Sequence, residues 1–508
     1  MQTHKIFGPP GTGKTSRLLQ IMEQEIQNGV APERLAYLTF TVAARREAKS
    51  RAIAKFNLTP EQLPFFRTLH SIAFQTLRIP GESLLKGADT LRPLGELLGY
   101  QFSPGRFTSD REEESGLILG GGAEKGDKLL AFDHYRRHNL MTVEEAYQHW
   151  PEDLTQWEVK RFCQAYQDWR SGEEMLDFTD LLEQGQMELP VDVVIVDEAQ
   201  DLSRLQWQAL HRFATSAQRL YVAGDDDQAI YEWAGASPEA FLELTGTSEV
   251  LGHSYRLSRA VYDVADYLSS KIQTRQPKSW QPREVAGRLT QIMEIERATL
   301  PPDGTVLILY RNWYLAKVVV RWLESIGQPY SMHEKPCPGH EWGEAIMWWE
   351  RARAGKPLGR TELKAALKGL SMLRVPGNLR QKLQGMTAEH RTIPGHEFLN
   401  VIGVGLEVPW YMALDRIDNR EIQYLRDVIR YHGPKALFEQ PRVRLSTIHG
   451  AKGEEEDHVL LLTDMSRKTR ESLDRFPDVE RRVFYVGVTR AKESLTLVGY
   501  HNPLFWGL

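Results

Sequence analysis

Eight residues near the start, GPPGTGKT (Gly8–Thr15), have the types and spacing of a phosphate-binding loop, G-x-x-x-x-G-K-[ST]. Gly8 is its first fixed position. Gly11 and Gly13 let backbone N–H groups point into a concave anion site. Lys14 would reach the terminal phosphates, and Thr15 would offer a hydroxyl to Mg²⁺. In VVIVDEAQD, Asp197 and Glu198 stand at the end of an apolar run. Asp197 would hold Mg²⁺ through water, and Glu198 would take the proton from an attacking water. The plainer alternatives are a chance glycine turn and acids beside a helix dipole. A third stretch, GDDDQAIYEWAGA (Gly224–Ala236), joins three acids, a glutamine and two rings. Gln228 both donates and accepts, which suits a γ-phosphate or the lytic water. Tyr231 and Trp233 lie two apart and would share one face of an extended segment. Bases stack on such rings at about 1–3 kcal/mol each. Core aromatics with a polar tip remain the alternative.

Particular elements must hold these groups. Lys5–Phe7 reads as the end of a short strand feeding the loop, and a helix follows with Leu18, Leu19, Met22 and Ile26 on one side. Val193–Val196 suits a strand buried on both faces of a parallel sheet. Leu220–Ala223 is another short apolar run, ending at Gly224 and Asp225. Ligands bind at the carboxyl ends of such strands. The fold class is therefore α/β, and the working chemistry is hydrolysis of a nucleoside triphosphate. A phosphate loop alone does not name the task.

The 508 residues predict about two to four packed units. A net charge of −5 argues against indiscriminate polyanion binding but leaves room for a local basic groove. Cys163 and Cys337, the two cysteines, make a disulfide framework unexpected and fit a reducing compartment. No stretch has the length of a signal peptide's apolar core or a membrane span. The expectation is a cytoplasmic protein with no membrane partner.

The motifs in their order resemble the UvrD/Rep/PcrA helicases, the A-type branch of superfamily one. GDDDQAIYEWAGA resembles motif III, and DEAQD (Asp197–Asp201) resembles motif II. LTFTVAARREAKSR (Leu38–Arg51) resembles motif Ia, RTLHSIAFQTLR (Arg67–Arg78) motif Ic, and LDFTDLL (Leu176–Leu182) the lead into motif II. HSYRLS (His253–Ser258) is similar to motif IV, VRLSTIHGAKGEEEDHVLLL (Val443–Leu462) to motif V, and ERRVFYVGVTRAKESLTLV (Glu480–Val498) to motif VI.

The resemblance implies two RecA-like parallel-sheet motor domains, each with a mainly helical inserted subdomain. It places the first motor domain at 1–78 and 161–254, with its insertion at 79–160. The second falls at 255–331 and 443–508, with its insertion at 332–442. It implies ATP and Mg²⁺ as cofactors, with hydrolysis at the cleft between the motor domains. Tyr255 would stack on adenine, Arg256 would touch the γ-phosphate, Glu455 would contact the ribose, and Arg490 would be an arginine finger. Phe40, Tyr231 and Trp233 fall where the family stacks bases. Thr68, His70, Thr447 and His449 fall in its DNA-contact segments. The implied partners are single-stranded DNA and its junctions with duplex. The chain would be a monomer in isolation, and a protein loading partner is a further expectation.

Several positions depart from the family. Only Met1–His4 stand ahead of the first strand, where the family reads adenine, so GTP use is open. Ala234 stands where an arginine is usual, Val42 where a polar residue is usual, and Glu454 and Glu456 replace apolar positions. The first insertion is mixed: FTSDREEESG is acidic, GGGAEKGDK is glycine-rich, and FDHYRRHN is basic and aromatic. Tyr135, Arg136 and Arg137 would contact a strand backbone or form a solvated helix face. In the second insertion, VIGVGLEVP (Val401–Pro409) would meet duplex phosphates or form a plain hairpin. His333, Cys337 and His340 match no strong zinc spacing, so no metal is expected there. About 18 residues follow Arg490, too few for an appended nuclease or a C-terminal partner-binding module.

Three functions follow. The first is a helicase moving 3′ to 5′, because Ala229 and Ile230 follow Gln228 where the opposite-polarity branch has Leu-Pro. The second is a single-strand translocase that needs a partner to unwind. The third is a nucleotide-gated DNA-binding switch, which would not need Glu198 or Arg490.

Overall fold

The computed structural model describes residues 1–39, 42–77, 80–85, 88–103, 124–150, 154–185, 188–332, 338–375, 392–499 and 502–505. The chain divides into two compact units, Met1–Arg288 with Arg467–Glu493, and Leu289–Ser466 with Ser494–Leu508.

The first unit is built on six parallel strands: β1 (Gln2–Phe7), β2 (Leu35–Leu38), β3 (Phe65–Arg67), β4 (Val193–Val196), β5 (Arg219–Gly224) and β6 (Thr247–Val250). Their order is β3-β2-β4-β5-β1-β6. Strand β4 is buried along its whole length. Val193 and Ile195 pack with Leu18, Met22 and Tyr37, while Val194 and Val196 pack with Leu210, Phe213 and Phe241. Side chains alternate across a strand, so covering both faces demands an unbroken apolar run. The helix Lys14–Gln27 leaves the loop after β1 and buries Leu18, Leu19, Ile21 and Met22.

A helical layer lies between β3 and β4 in sequence. Helices Lys125–His138, Val143–His149 and Gln156–Gly172 close over Leu129, Phe132, Phe162 and Tyr166. Thr142 with Glu145, and Thr155 with Glu158, form reciprocal capping boxes that start the second and third of these. The acidic stretch of this region, and residues 120–123 of its glycine-rich stretch, lie outside the described residues.

The second unit carries strands β7 (Arg288–Ile292), β8 (Val306–Tyr310), β9 (Tyr330–Met332), β12 (Val443–Thr447), β13 (Glu456–Leu462) and β14 (Ala491–Val498) in the order β7-β14-β13-β8-β12-β9. Central β8 pairs in parallel with β12 and β13. A short antiparallel pair, β10 (Leu358–Gly359) and β11 (Thr392–Ile393), accompanies helices His340–Arg353, Arg360–Lys368, Gly395–Ile402 and Asn419–His432. Ala345, Ile346, Trp349 and Ala352 recur at helical spacing and are all buried. The expected α/β class, two parallel-sheet domains with mainly helical additions, is the architecture found.

Two expectations about the additions are corrected. Val401–Pro409 is a helix end and a turn, not a hairpin. The indole of Trp349 donates to Val408 O at 3.2 Å, and Arg353 donates to Leu406 O at 3.0 Å. Arg137 is neither solvated nor open to a nucleic-acid strand. Its guanidinium is buried and donates to Asp177 and Glu183, each at 2.7 Å, and to Asp180. Arg136 pairs with Asp133 at 2.7 Å. His333 and Cys337 lie outside the described residues, and His340 Nδ1 sits 2.9 Å from Leu437 O.

Candidate functional site

The loop after β1 is shaped by contacts that only glycine allows. A Cβ on Gly8 would fall 2.1 Å from the Lys14 side chain. Gly11 and Gly13 take φ +74° and +81°, a region that side chains rarely adopt. Lys14 Nζ donates to Gly8 O at 3.0 Å, so the ammonium folds back over the loop. Thr15 Oγ1 donates to Asp197 Oδ2 at 3.1 Å, and Tyr37 OH donates to the same oxygen at 3.0 Å. Strand register explains the meeting, because β4 delivers Asp197 beside β2, which carries Tyr37. A hydroxyl and a carboxylate oxygen side by side fit Mg²⁺, a hard cation that keeps several waters and shares phosphate oxygens. Burial, and then the adjacent Glu198 charge, push the Asp197 carboxyl up to about 6, while Lys14 pulls it down. Positive charge brought to this pair would relieve that repulsion.

Glu198 stands at φ 54°, ψ 42°, left-handed for a non-glycine residue. That conformation costs about 1–3 kcal/mol and is held by its surroundings. Gln200, fully buried, donates from Nε2 to Glu198 Oε2 at 2.6 Å and accepts from Asp225 N at 3.0 Å. Asp225 Oδ2 accepts from Gln228 Nε2 at 2.7 Å. Gln228 Oε1 accepts from Arg490 Nη2 at 2.8 Å. One chain of hydrogen bonds thus runs from Glu198 to Arg490 inside the first unit. Arg490 is almost fully buried and is also tied to Val486 O at 3.0 Å.

The segment at His253–Ser258 clasps the phosphate loop. Ser254 Oγ donates to Pro10 O at 2.7 Å, and Tyr255 N donates to Gly11 O at 2.9 Å. A Cβ on Gly11 would lie 2.3 Å from Arg256 Cβ, so Arg256 is against the loop. The Tyr255 ring is 73% exposed and edge-on to His253, open to a planar ligand.

The three acids of GDDDQ have a structural task that the sequence motif alone does not reveal. Lys278, with no exposed side-chain surface, lies 3.0 Å from Asp225 and 2.9 Å from Asp227, and also pairs with Asp226. Burial alone would lower its pKa, but the three carboxylates hold it raised. Arg275 binds Asp227 at 2.6 Å, and Gln276 N donates to Asp226 at 2.8 Å. Arg482 donates to Asp226 O at 3.1 Å, Glu232 at 2.7 Å and Thr274 O at 2.6 Å.

Tyr231 and Trp233 do not share an extended face. Glu232–Ala234 is a 3-10 turn with Tyr231 at its cap, and both rings are half-buried. Thr68 and His70 are buried. Thr68 Oγ1 caps the helix Leu69–Leu77 by accepting from Ser71 N at 3.2 Å, and His70 lies edge-on to Phe178. Phe40 lies outside the described residues. In the second unit, Thr447 ends β12 and accepts from Gly450 N at 3.0 Å. His449 and Glu455 are half-buried in the turn that follows.

Comparison with known proteins identifies the family. Residues 1–249 match the UvrD/REP helicase N-terminal domain, and residues 419–502 match the UvrD-like helicase C-terminal domain. The chain belongs to the UvrD-like helicase family. A probable DNA helicase II homolog of Mycoplasma capricolum is 26% identical over 58% of this chain and 42% of its own length. The ATP-dependent DNA helicase PcrA of Leuconostoc citreum is 23% identical over 99% of this chain and 80% of its own. The ATP-dependent DNA helicase UvrD2 of Mycobacterium tuberculosis is 25% identical over 97% of this chain and 76% of its own. Over several relatives the match spans about half of their length or less.

Two departures from the UvrD-like pattern now have physical reasons. Ala234 is buried, and a Cβ on the next residue, Gly235, would fall 2.6 Å from His138 Cβ. The helix Lys125–His138 therefore covers the place where the family arginine would stand. Glu454 and Glu456 both pair with Arg444 of β12, the first at 3.2 Å. Among the residues not singled out from sequence, Gln200, Lys278, Arg275, Arg482 and Tyr37 build the site. Three successive acids at a buried strand end were the available signal, since they demand cations.

Proposed function

We propose that this chain is an ATP-dependent DNA helicase that moves 3′ to 5′ along single-stranded DNA and opens duplex ahead of it. The observation that carries the reading is the bond chain Glu198–Gln200–Asp225–Gln228–Arg490. It joins a candidate base to a candidate finger through the glutamine suited to sense a γ-phosphate. A switch that only binds nucleotide has no need of that connection.

In this reading the loop amides and Lys14 bind the phosphates, and Tyr255 takes the base. Glu198 takes the proton from water. Arg256 and Arg490 meet the charge that develops on the transferred phosphoryl group. Thr15 and Asp197 would hold Mg²⁺, which when bound neutralises phosphate charge. The domain division offered is 1–78 with 161–254, and 255–331 with 443–508, carrying insertions 79–160 and 332–442. Arg256 and Arg490 then come from the second motor domain to a nucleotide cleft, and hydrolysis is gated by closure. Glu455 would contact the ribose. Tyr231 and Trp233, both half-buried, are the proposed stacking residues, with Phe40, Thr447 and His449 along the strand. Thr68 and His70 are buried, which supports a role beneath the strand rather than against it. Ala229 and Ile230 after Gln228 support the polarity. Single strands and junctions are the proposed partners, with a monomer as the working unit.

The test is ATP hydrolysis with and without single-stranded DNA. Stimulated turnover is expected, and Glu198→Gln should lower it by about 10²–10⁴-fold while nucleotide still binds. Near-normal turnover in the variant would remove the role of Glu198.

A further inference from the structure

The amide of Gln228 can face its neighbours in two ways, and they accept only one. Gln228 Nε2 donates to Asp225 Oδ2 at 2.7 Å, and Oε1 accepts from Arg490 Nη2 at 2.8 Å. A carboxylate only accepts and a guanidinium only donates. Turned over, the amide would set its oxygen against a carboxylate oxygen and its nitrogen against the guanidinium. Mismatches of that kind are costly in a buried site, where water cannot stand in. The direction in which the Gln228 oxygen faces therefore depends on Asp225 being ionised. A protonated Asp225 could donate to Oε1 and let the amide turn over.

Asp225 is fully buried, and a lone carboxylate so placed takes up a proton rather than keep its charge. Lys278 opposes this. Its Nζ lies 3.0 Å from Asp225 Oδ1, the oxygen that Gln228 does not use, and neither side chain has exposed surface. Burial pushes the Asp225 carboxyl up, but Lys278 and then Lys14 outweigh it and hold it below the usual carboxylate value. The other nearby cations are directed elsewhere. Arg275 is engaged by Asp227 at 2.6 Å, and Lys14 donates to Gly8 O at 3.0 Å. The backbone of Asp225 is fixed as well, since its N–H donates to Gln200 Oε1 at 3.0 Å. Carboxylate and main chain are thus both held, and the amide of Gln228 is set by what they present.

We propose that Lys278 is a positioning residue for hydrolysis, which acts through Asp225 to fix the orientation of the Gln228 amide and, with it, the place of Arg490. The inference rests on the roles given to Gln228 and Arg490 above. Lys278 bonds the three acids of GDDDQ, so its influence on the chemistry passes through the one acid that Gln228 shares.

The experiment measures DNA-stimulated ATP hydrolysis and ATP-analogue binding by the full chain, well below the thermal midpoint of each variant. Wild type is compared with Gln228→Ala, Lys278→Met, the two combined, and the isosteric Asp225→Asn. Lys278→Met should lower kcat by up to about 10²-fold with ATP-analogue affinity unchanged, the effect of misplacing a reacting group by about 1 Å. Combined with Gln228→Ala it should lower kcat no further, because both changes remove one interaction. Asp225→Asn tests the same idea if Lys278→Met fails to fold. Its amide would turn oxygen to Lys278 and nitrogen to Gln228, which drives the Gln228 nitrogen toward Arg490. Its kcat should fall as far as that of Gln228→Ala, although Gln228 is present. Normal kcat in folded Lys278→Met, additive losses in the combined variant, or near-normal kcat in Asp225→Asn would each overturn the inference and leave Lys278 a packing charge. Absence of DNA-stimulated hydrolysis in the wild type would instead overturn the reading on which it rests.

Discussion

Replacing Lys278 by methionine tests whether the acids of GDDDQ are held by a buried counter-charge. In the wild type, one ammonium touches three carboxylates, two of them at 3.0 and 2.9 Å, with no exposed surface on any of the four side chains. Methionine keeps most of the volume and removes the charge. Arg275 on Asp227 then remains as the nearest side-chain cation bonded to the cluster. Removing one member of a buried ion pair costs about 3–5 kcal/mol, because the remaining charge stays desolvated. At about 2 °C per kcal/mol for a large unit, the first thermal transition should fall by about 6–10 °C at pH 7.5. Acid should reduce the deficit. Lys278 pulls the Asp225 and Asp226 carboxyls down against their burial, so without it both stand higher in the folded chain and the variant is penalised while they are ionised. The penalty fades as pH falls through those raised values. Scanning calorimetry at pH 7.5 and 5.5 reads both effects. A loss under about 2 °C at pH 7.5, or a deficit that grows on acidification, would refute the reasoning.

Arg490→Ala should lower kcat by about 10³–10⁵-fold with a much smaller change in ATP affinity, measured by steady-state hydrolysis and analogue binding. Equal losses in both would argue against a finger. Trp233→Ala should cost about 1–3 kcal/mol of strand binding, seen as weaker DNA stimulation of turnover, with the thermal midpoint nearly unchanged. A large fall in midpoint would return Trp233 to a packing role. His70 and His134 are buried neutral, with burial first among the causes that depress them to about 3 and about 4. Their folded pKa values lie below the unfolded 6.5, so stability is full above pH 6.5 and declines as pH falls toward 4. Each contributes up to about 1.4 kcal/mol per pH unit. Replacing His134 by asparagine should flatten that decline in a denaturant series.

Much of the first sheet was legible because its signals are local. Val193–Val196 had to be a two-faced strand, and Gly8–Thr15 had to be a turn opening a helix. Asp197 followed from its place at the strand end. Lys278 was not legible, because QTRQPKSW has no pattern and its acids lie about fifty residues earlier. The demand for a cation could be read, but not its source. Arg137 misled for a related reason. YRRH on a helix looks solvated until Asp177, Asp180 and Glu183 arrive from a later helix. The paired aromatics at 231 and 233 misled through period: alternation implied extension, and the backbone is a turn. The acids at Glu454 and Glu456 looked misplaced until Arg444 of β12 accounted for them.

The measurement closest to the central claim is ATP-driven strand separation on two duplexes that differ only in the polarity of a single-stranded tail. Unwinding of the 3′-tailed duplex is expected, with none of the 5′-tailed one and loss of unwinding in Glu198→Gln. Unwinding of the 5′-tailed duplex alone would contradict the polarity. Strong DNA-stimulated hydrolysis with neither duplex opened would contradict the helicase and leave a translocase that needs a partner.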